Sequence, residues 1–226
     1  MIEAALAQLE ALADPARAAD AATYHKVARR YLGVPVPQVQ ALVAEWREGA
    51  TVETRVDLAA GLWDSNIHEA RVAAAKLLTQ ARIGPDTAVW ALISTWVPQF
   101  DAWAIADHAC EPGNRRLQAD PARLDEVEGW TTHPNKWTRR AALVMTLPWA
   151  RMPNPKPAEI AARERILGWA AGYVAERDWF LQKAVAWWVC DLSKHDADRA
   201  RVFLADHGAA MTAFARKEAG RHLAGA

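Results

Sequence analysis

Cysteine is scarce in this chain. Cys110 and Cys190 are the only two among 226 residues, and they form no C-x-x-C pattern, so no disulfide framework is expected. Long apolar runs are missing as well, and no stretch approaches the roughly 18 apolar residues of a membrane span. Met1 to Leu12 interleaves Glu3, Gln8 and Glu10 with apolar residues and lacks the basic start of a secretory signal. A cytoplasmic protein is the expectation. The usual marks of several chemistries are also absent: there is no glycine-rich phosphate loop and no G-x-S-x-G elbow. The seven histidines are scattered, without H-E-x-x-H or a Cys/His cluster, so neither a metal nor a cofactor is expected. His108 and Cys110 are close in sequence but leave a helix on different faces, which disfavours a nucleophilic pair.

Net charge is zero, with 27 Lys/Arg against 27 Asp/Glu, and that argues against a uniformly basic polyanion binder. The distribution is uneven. Residues 1–130 hold 12 Lys/Arg and 18 Asp/Glu, whereas residues 131–226 hold 15 and 9. No acid falls between Glu128 and Glu159, while Lys136, Arg139, Arg140, Arg151 and Lys156 all do. A chain with one basic end can hold a polyanion there. Equally, these can be solvated helix faces whose acidic partners come from elsewhere in the fold.

Among aromatics, Tyr (3) and Phe (4) are few and Trp (12) is abundant. An indole N–H needs a partner when buried, so some of these rings are expected to line a surface groove rather than fill a core. No window alternates like a strand between hairpin turns, and apolar residues recur at helical spacing throughout. The expected fold is all-α, one domain over 1–226. Asp14-Pro15 opens a helix running towards Tyr31, and Pro37 starts one through Trp46. Asn66 caps one from 67 to 82. Glu111-Pro112-Gly113-Asn114 reads as a turn, and Pro148, Pro153, Pro155 and Pro157 as a linker. The last helix is expected over 209–223.

Helices rich in small residues recur, and aligning them puts Arg71, Asp107, Arg140, Lys183 and Lys217 in one column, at spacings of 36, 33, 43 and 34 residues. That is the size of one helical-hairpin repeat, and in a stacked solenoid equivalent positions line one surface. The spacing therefore predicts a concave face on which cations surround one carboxylate. Chance recurrence of A-x-x-L in an alanine-rich chain would give a similar column. Trp187 lies four residues after Lys183 and Trp137 three before Arg140, so each shares its neighbour's helix face.

The sharpest stretch runs from Thr95 to Cys110, T-W-V-P-Q-F-D-A-W-A-I-A-D-H-A-C. Pro98 breaks one helix and Asp101 is placed to cap the next. On that helix Trp103 and Asp107 are four residues apart and share a face. A π surface beside a carboxylate suits a cationic guest, although a core tryptophan beside a capping or ion-paired aspartate has the same spacing. An alkylated purine is such a guest. Its glycosidic bond is weak because the base leaves neutral, and a carboxylate near the sugar stabilises the oxocarbenium charge that develops. Basic side chains, Lys136 and Arg139 among them, would contact phosphates without sequence preference.

At this point the chain resembles the AlkD family of alkylpurine DNA glycosylases. The likeness is carried by D-A-W-A-I-A-D from Asp101, N-K-W-T-R-R-A-A-L from Asn135 and F-L-Q-K-A-V-A-W-W from Phe180. L-W-D-S-N-I-H-E-A-R from Leu62 and A-R-K-E-A from Ala215 extend it. The resemblance implies a right-handed superhelical solenoid of HEAT-like repeats with a basic concave groove. It implies excision of 3-methyladenine and 7-methylguanine from duplex DNA by a monomer, without flipping the lesion into a pocket. The family's catalytic aspartate falls on Asp107, its arginine on Arg140 and its two groove tryptophans on Trp103 and Trp187. Trp137 and Trp188 are additional to that pattern. Two other readings keep the same architecture without chemistry: a module binding damaged or branched DNA, and an interaction solenoid whose Trp-rich groove holds a peptide.

Overall fold

The computed structural model describes residues 1–223, and among them every regular element is helical; the one β contact is an isolated bridge between Arg30 and Ile67. The all-α expectation therefore holds. None of these helices is long and apolar enough to cross a membrane. The chain divides into two compact units, Met1–Ala119 and Asp120 onward.

The first unit contains α1 (Ile2–Ala11), α2 (Pro15–His25), α3 (Val36–Arg47), α4 (Val52–Asp64), α5 (His68–Leu78), α6 (Thr87–Trp96) and α7 (Trp103–Ala119). Helix α5 is its centre and packs against α3, α4 and α7. Its alanines Ala70, Ala73, Ala74 and Ala75 are fully buried, and their small side chains let neighbouring helices approach closely. Trp63 of α4 and Trp96 of α6 stack at 4.3 Å between ring centroids, both out of water. Two buried charges fasten loops to this core. Glu69 accepts hydrogen bonds from the N–H groups of Leu32 (2.9 Å) and Gly33 (2.7 Å). Arg116 donates to the carbonyls of Gln80, Ala81 and Ile83 and pairs with Asp86 at 3.1 Å, gathering the whole α5–α6 loop.

The second unit contains α8 (Leu124–Trp130), α9 (Lys136–Val144), α10 (Leu147–Ala150), α11 (Pro157–Tyr173), α12 (Trp179–Ser193), α13 (Ala197–His207) and α14 (Ala213–Ala219). Helix α12 takes the central role, contacting α9, α10, α11, α13 and α14. Gln182, fully buried on it, donates to the carbonyls of Tyr173, Val174 and Glu176 and accepts from the Thr212 N–H. One side chain thus closes two loops over the start of α12.

Several sequence expectations are corrected. Glu111 to Asn114 is not a turn, because α7 continues to Ala119 with Pro112 inside it. An internal proline costs about 3 kcal/mol. Continuing the helix buries Pro112, Gly113, Arg116 and Leu117, which outweighs that cost. Asn66 is not a cap: it sits at φ 52°, Ile67 precedes the first turn, and α5 ends at Leu78. Helix α2 stops at His25, where Lys26 turns left-handed. The proline stretch is partly helical, since α10 begins beside Pro148 and α11 begins at Pro157. The final helix is shorter than expected, preceded by a 3-10 turn over Gly208–Ala210.

Candidate nucleic-acid interface

In the first unit, Trp103 opens α7 and Asp107 follows one turn later, both half-buried. Their shared helix face is borne out by the helix itself. Asp101, two residues before α7, accepts from Arg29, which donates to both carboxylate oxygens. The Arg29 side chain is 1% exposed, so this pair anchors the chain entering α7 to the segment after α2.

Trp103 is braced by aromatics that sequence reasoning missed. Tyr24 meets it edge-on at 6.1 Å, and His25 lies 5.8 Å away, tilted. Behind them His25, Tyr31 and His68 form a stack, with His25–His68 centroids 4.7 Å apart and Tyr31–His68 5.0 Å. Burial, and then the charges of His25, Arg29 and His108, push the His68 imidazole down to about 3. His25 and His108 are also lowered, in each case chiefly by burial. The bed beneath Trp103 is therefore neutral imidazole and phenol, which favours stacking over ion binding. Tyr24 is 68% exposed, so the Trp103–Tyr24 edge opens to solvent. Only packing joins Tyr24 to Trp103 across 79 residues; no spacing in the sequence could have shown it.

Arg71 lies on α5, which packs against α7. It is 8% exposed: its Nε donates to the Trp63 carbonyl at 3.1 Å and its guanidinium covers the Trp63 ring at 4.7 Å. Its charge is spent largely on the interior.

In the second unit, α9 and α12 bring Lys136, Trp137, Arg139, Arg140, Lys183 and Trp187 onto two packed helices, and Lys217 is exposed on α14 beside α12. Asn135 starts α9 by accepting from the Trp137 N–H at 2.9 Å. The acid-free stretch of sequence finds its acids about 40 residues later. Lys136 pairs with Asp178 at 2.7 Å, Arg139 with Glu176 at 2.5 Å and Arg151 with Asp191 at 2.7 Å. Lys183 pairs with Glu218 at 3.3 Å. The reading in which partners come from elsewhere in the fold thus describes these four. Arg140 is 4% exposed and donates to the Phe180 carbonyl at 3.1 Å. The Arg151 guanidinium stands 6.0 Å over the half-buried Trp187 ring. Trp188, next in sequence, is fully buried, so that additional tryptophan is core. Lys136 lies over Trp137 at 5.3 Å and over Phe180 at 5.4 Å.

Chemically, the first unit offers a carboxylate one turn from a supported indole, and the second a basic surface on which the buried Asp191 holds Arg151, while partly exposed carboxylates hold Lys136, Arg139 and Lys183. Such pairs are worth about 0–1 kcal/mol, so a phosphate can exchange for the carboxylate at little cost. No group of three or more His, Cys, Asp or Glu placed to hold a metal occurs among the described residues.

Comparison with known proteins fits this geometry. The profile of a family described as DNA alkylation repair enzyme matches residues 5–223. No curated protein matches the chain in sequence. Among solved structures, a predicted DNA alkylation repair enzyme from Enterococcus faecalis superposes with a TM-score of 0.78 at 20% identity, over 95% of this chain and 98% of its own. AlkD2 from Streptococcus mutans gives 0.62 at 15% identity, over 84% and 91%. The smu.31 protein from Streptococcus mutans UA159 gives 0.61 at 15%, over 82% and 92%. At these identities the structures share the fold.

Proposed function

The chain belongs to the family of DNA alkylation repair enzymes, and from that premise we propose that it is a monofunctional glycosylase. In this reading it hydrolyses the N-glycosidic bond of cationic alkylated purines, 3-methyladenine and 7-methylguanine, in duplex DNA. The observation that carries the reading is the Trp103–Asp107 pair on α7, with the indole braced from behind and its edge open beside Tyr24.

Methylation at N3 or N7 places a positive charge on the purine. As the C1′–N9 bond breaks, its electron pair neutralises the base, which leaves without needing a general acid. Positive charge then develops on the sugar, where the Asp107 carboxylate stabilises it. Water adds to C1′ through its oxygen and releases one proton to Asp107 or to solvent, leaving an abasic site. Trp103 holds the nucleotide through its ring face, and in the second unit Trp187 offers a ring face to the DNA. Arg140, nearly buried and bonded to the Phe180 carbonyl, holds the start of α12, the helix that carries Trp187. Lys136, Arg139, Lys183 and Lys217 line the strand beside Trp137, while Arg71 stays packed over Trp63; these phosphate contacts give affinity without base selection. Neutral His25 beside Trp103, with His68 stacked behind it, keeps that wall uncharged.

The test is to incubate the protein with methylated genomic DNA and separate the released bases. Free 3-methyladenine and 7-methylguanine above the spontaneous rate, with strands intact, support the reading. Tight, salt-sensitive binding of damaged or branched duplex with no base released would replace it with the non-catalytic module.

A further inference from the structure

The aromatic residues Trp179 and Phe214 take no part in the site above, yet both stand in water. Trp179 is 52% exposed and Phe214 36%, and their rings stack at 5.7 Å with 20° between planes. The pair continues inward, because Phe180 meets Trp179 edge-on at 5.0 Å and Trp137 lies 4.5 Å from Phe180. The platform is rigidly mounted. Asp178 caps α12 through the N–H groups of Phe180 and Leu181. Gln182 ties Thr212, the residue before α14, to α12, and Arg177 donates to the Ala210 carbonyl at 3.2 Å.

Cations surround it. Lys217 follows Phe214 by three residues and shares its helix face, and Arg216 lines the same groove as Phe214. Arg177, Arg216 and Lys217 are exposed and pair with no carboxylate among the described residues. Exposed stacked rings with unneutralised cations beside them match a partner that is planar, aromatic and anionic at once.

We propose that Trp179 and Phe214 form a stacking platform for an unpaired nucleobase of DNA, with Lys217 and Arg216 holding the flanking phosphates. This rests on DNA being the substrate and adds to it a preference for duplex carrying an unpaired nucleotide. Stacking of a base on such rings tolerates any sequence, since every base has a π face. A paired base within the helix cannot reach the platform.

The test compares a fully paired duplex with the same duplex carrying one bulged nucleotide, by fluorescence anisotropy at low salt. The wild type is expected to bind the bulged duplex on the order of ten-fold tighter. Trp179→Leu and Phe214→Leu keep the apolar bulk and are expected to erase that preference, with unchanged affinity for paired duplex and unchanged 7-methylguanine release. Trp179→Phe retains a ring and is expected to keep part of the preference. Equal wild-type affinity for the two duplexes overturns the proposal, as does a preference that survives both leucine variants. Wild-type self-association that the leucine variants abolish also overturns it, and makes the platform a contact between copies. Base release and discrimination are separate readouts, so a protein that excises nothing yet discriminates would keep the platform and lose the glycosylase.

Discussion

Arg29 donates to both carboxylate oxygens of Asp101, and that pair fixes the chain two residues before Trp103 opens α7. The arginine side chain is 1% exposed, and its Nε and Nη1 make no hydrogen bond. Its Nη2 reaches Asp101, whose own side chain is 44% exposed. Removing the charge of the carboxylate strands the buried arginine. Asp101→Asn is therefore expected to lower unfolding free energy by about 2–4 kcal/mol and to reduce base release through a displaced Trp103 and Asp107. Adding Arg29→Met to that variant is expected to recover much of the stability, since it removes the stranded charge. Urea unfolding of the single and double variants checks this; a single variant within about 0.5 kcal/mol of wild type would show the pair carries no weight.

Glu69 and Gly33 form a second anchor in the first unit. Gly33 sits at φ +76°, and a Cβ there would lie 2.3 Å from the Asp14 carbonyl oxygen and 2.6 Å from the Ala18 nitrogen. Both obstacles are backbone and cannot swing aside. Gly33→Ala is expected to cost about 2–4 kcal/mol, from left-handed strain plus the clash. Glu69→Ala, which orphans the N–H groups of Leu32 and Gly33, is expected to cost about 1–3 kcal/mol for each donor left buried. Thermal melts of the two variants, compared with the exposed control Gly129→Ala, measure both effects.

The buried imidazoles give stability a pH dependence of defined sign. His68 titrates near 3 in the folded chain against an ordinary value of 6.5. Above pH 6.5 both states hold the ring neutral and nothing is lost. Between 6.5 and about 3 the unfolded chain binds a proton that the folded chain refuses, so stability falls as pH falls, by up to about 1.4 kcal/mol per unit. His25 and His108 are shifted in the same direction and steepen the loss. Denaturant unfolding at pH 7.5 and pH 5 is expected to show it, with His68→Phe flattening the dependence. Equal slopes for wild type and variant would remove His68 as a source.

Glu176 restrains a cation assigned to DNA. It accepts from Arg139 at 2.5 Å, so a phosphate must displace it. Glu176→Gln removes that competition. Duplex affinity is expected to rise, and the slope of log affinity against log salt to steepen by up to about 0.9 for one added phosphate contact. Titrations at several salt concentrations decide it; a slope that stays the same would mean Arg139 does not reach the backbone.

Helix content, the α7 face and the recurrence of small-residue helices could be read from spacing, because periodicity is local. The central helices of the two units, α5 and α12, are those whose Ala-rich and Q-K-A-V-A segments stood out in the sequence. What spacing could not give is long-range. Pro112 stays helical because burial of Arg116 and Leu117 outweighs a local rule. Lys136 and Arg139 look unopposed along the chain, but Asp178 and Glu176 reach them in space. Tyr24, His25 and His68 carry no motif, and only packing reveals them behind Trp103.

The most direct test of the account is the rate of 7-methylguanine release by Asp107→Asn on methylated duplex, measured beside its unfolding curve. The substitution keeps the shape of the side chain and removes its negative charge. An unaltered fold, near-normal duplex affinity and release reduced by about 100-fold or more are expected, the scale of losing one group aimed at developing charge. Release at the wild-type rate from a normally folded variant would contradict it, and Asp107 would then have no part in breaking the bond.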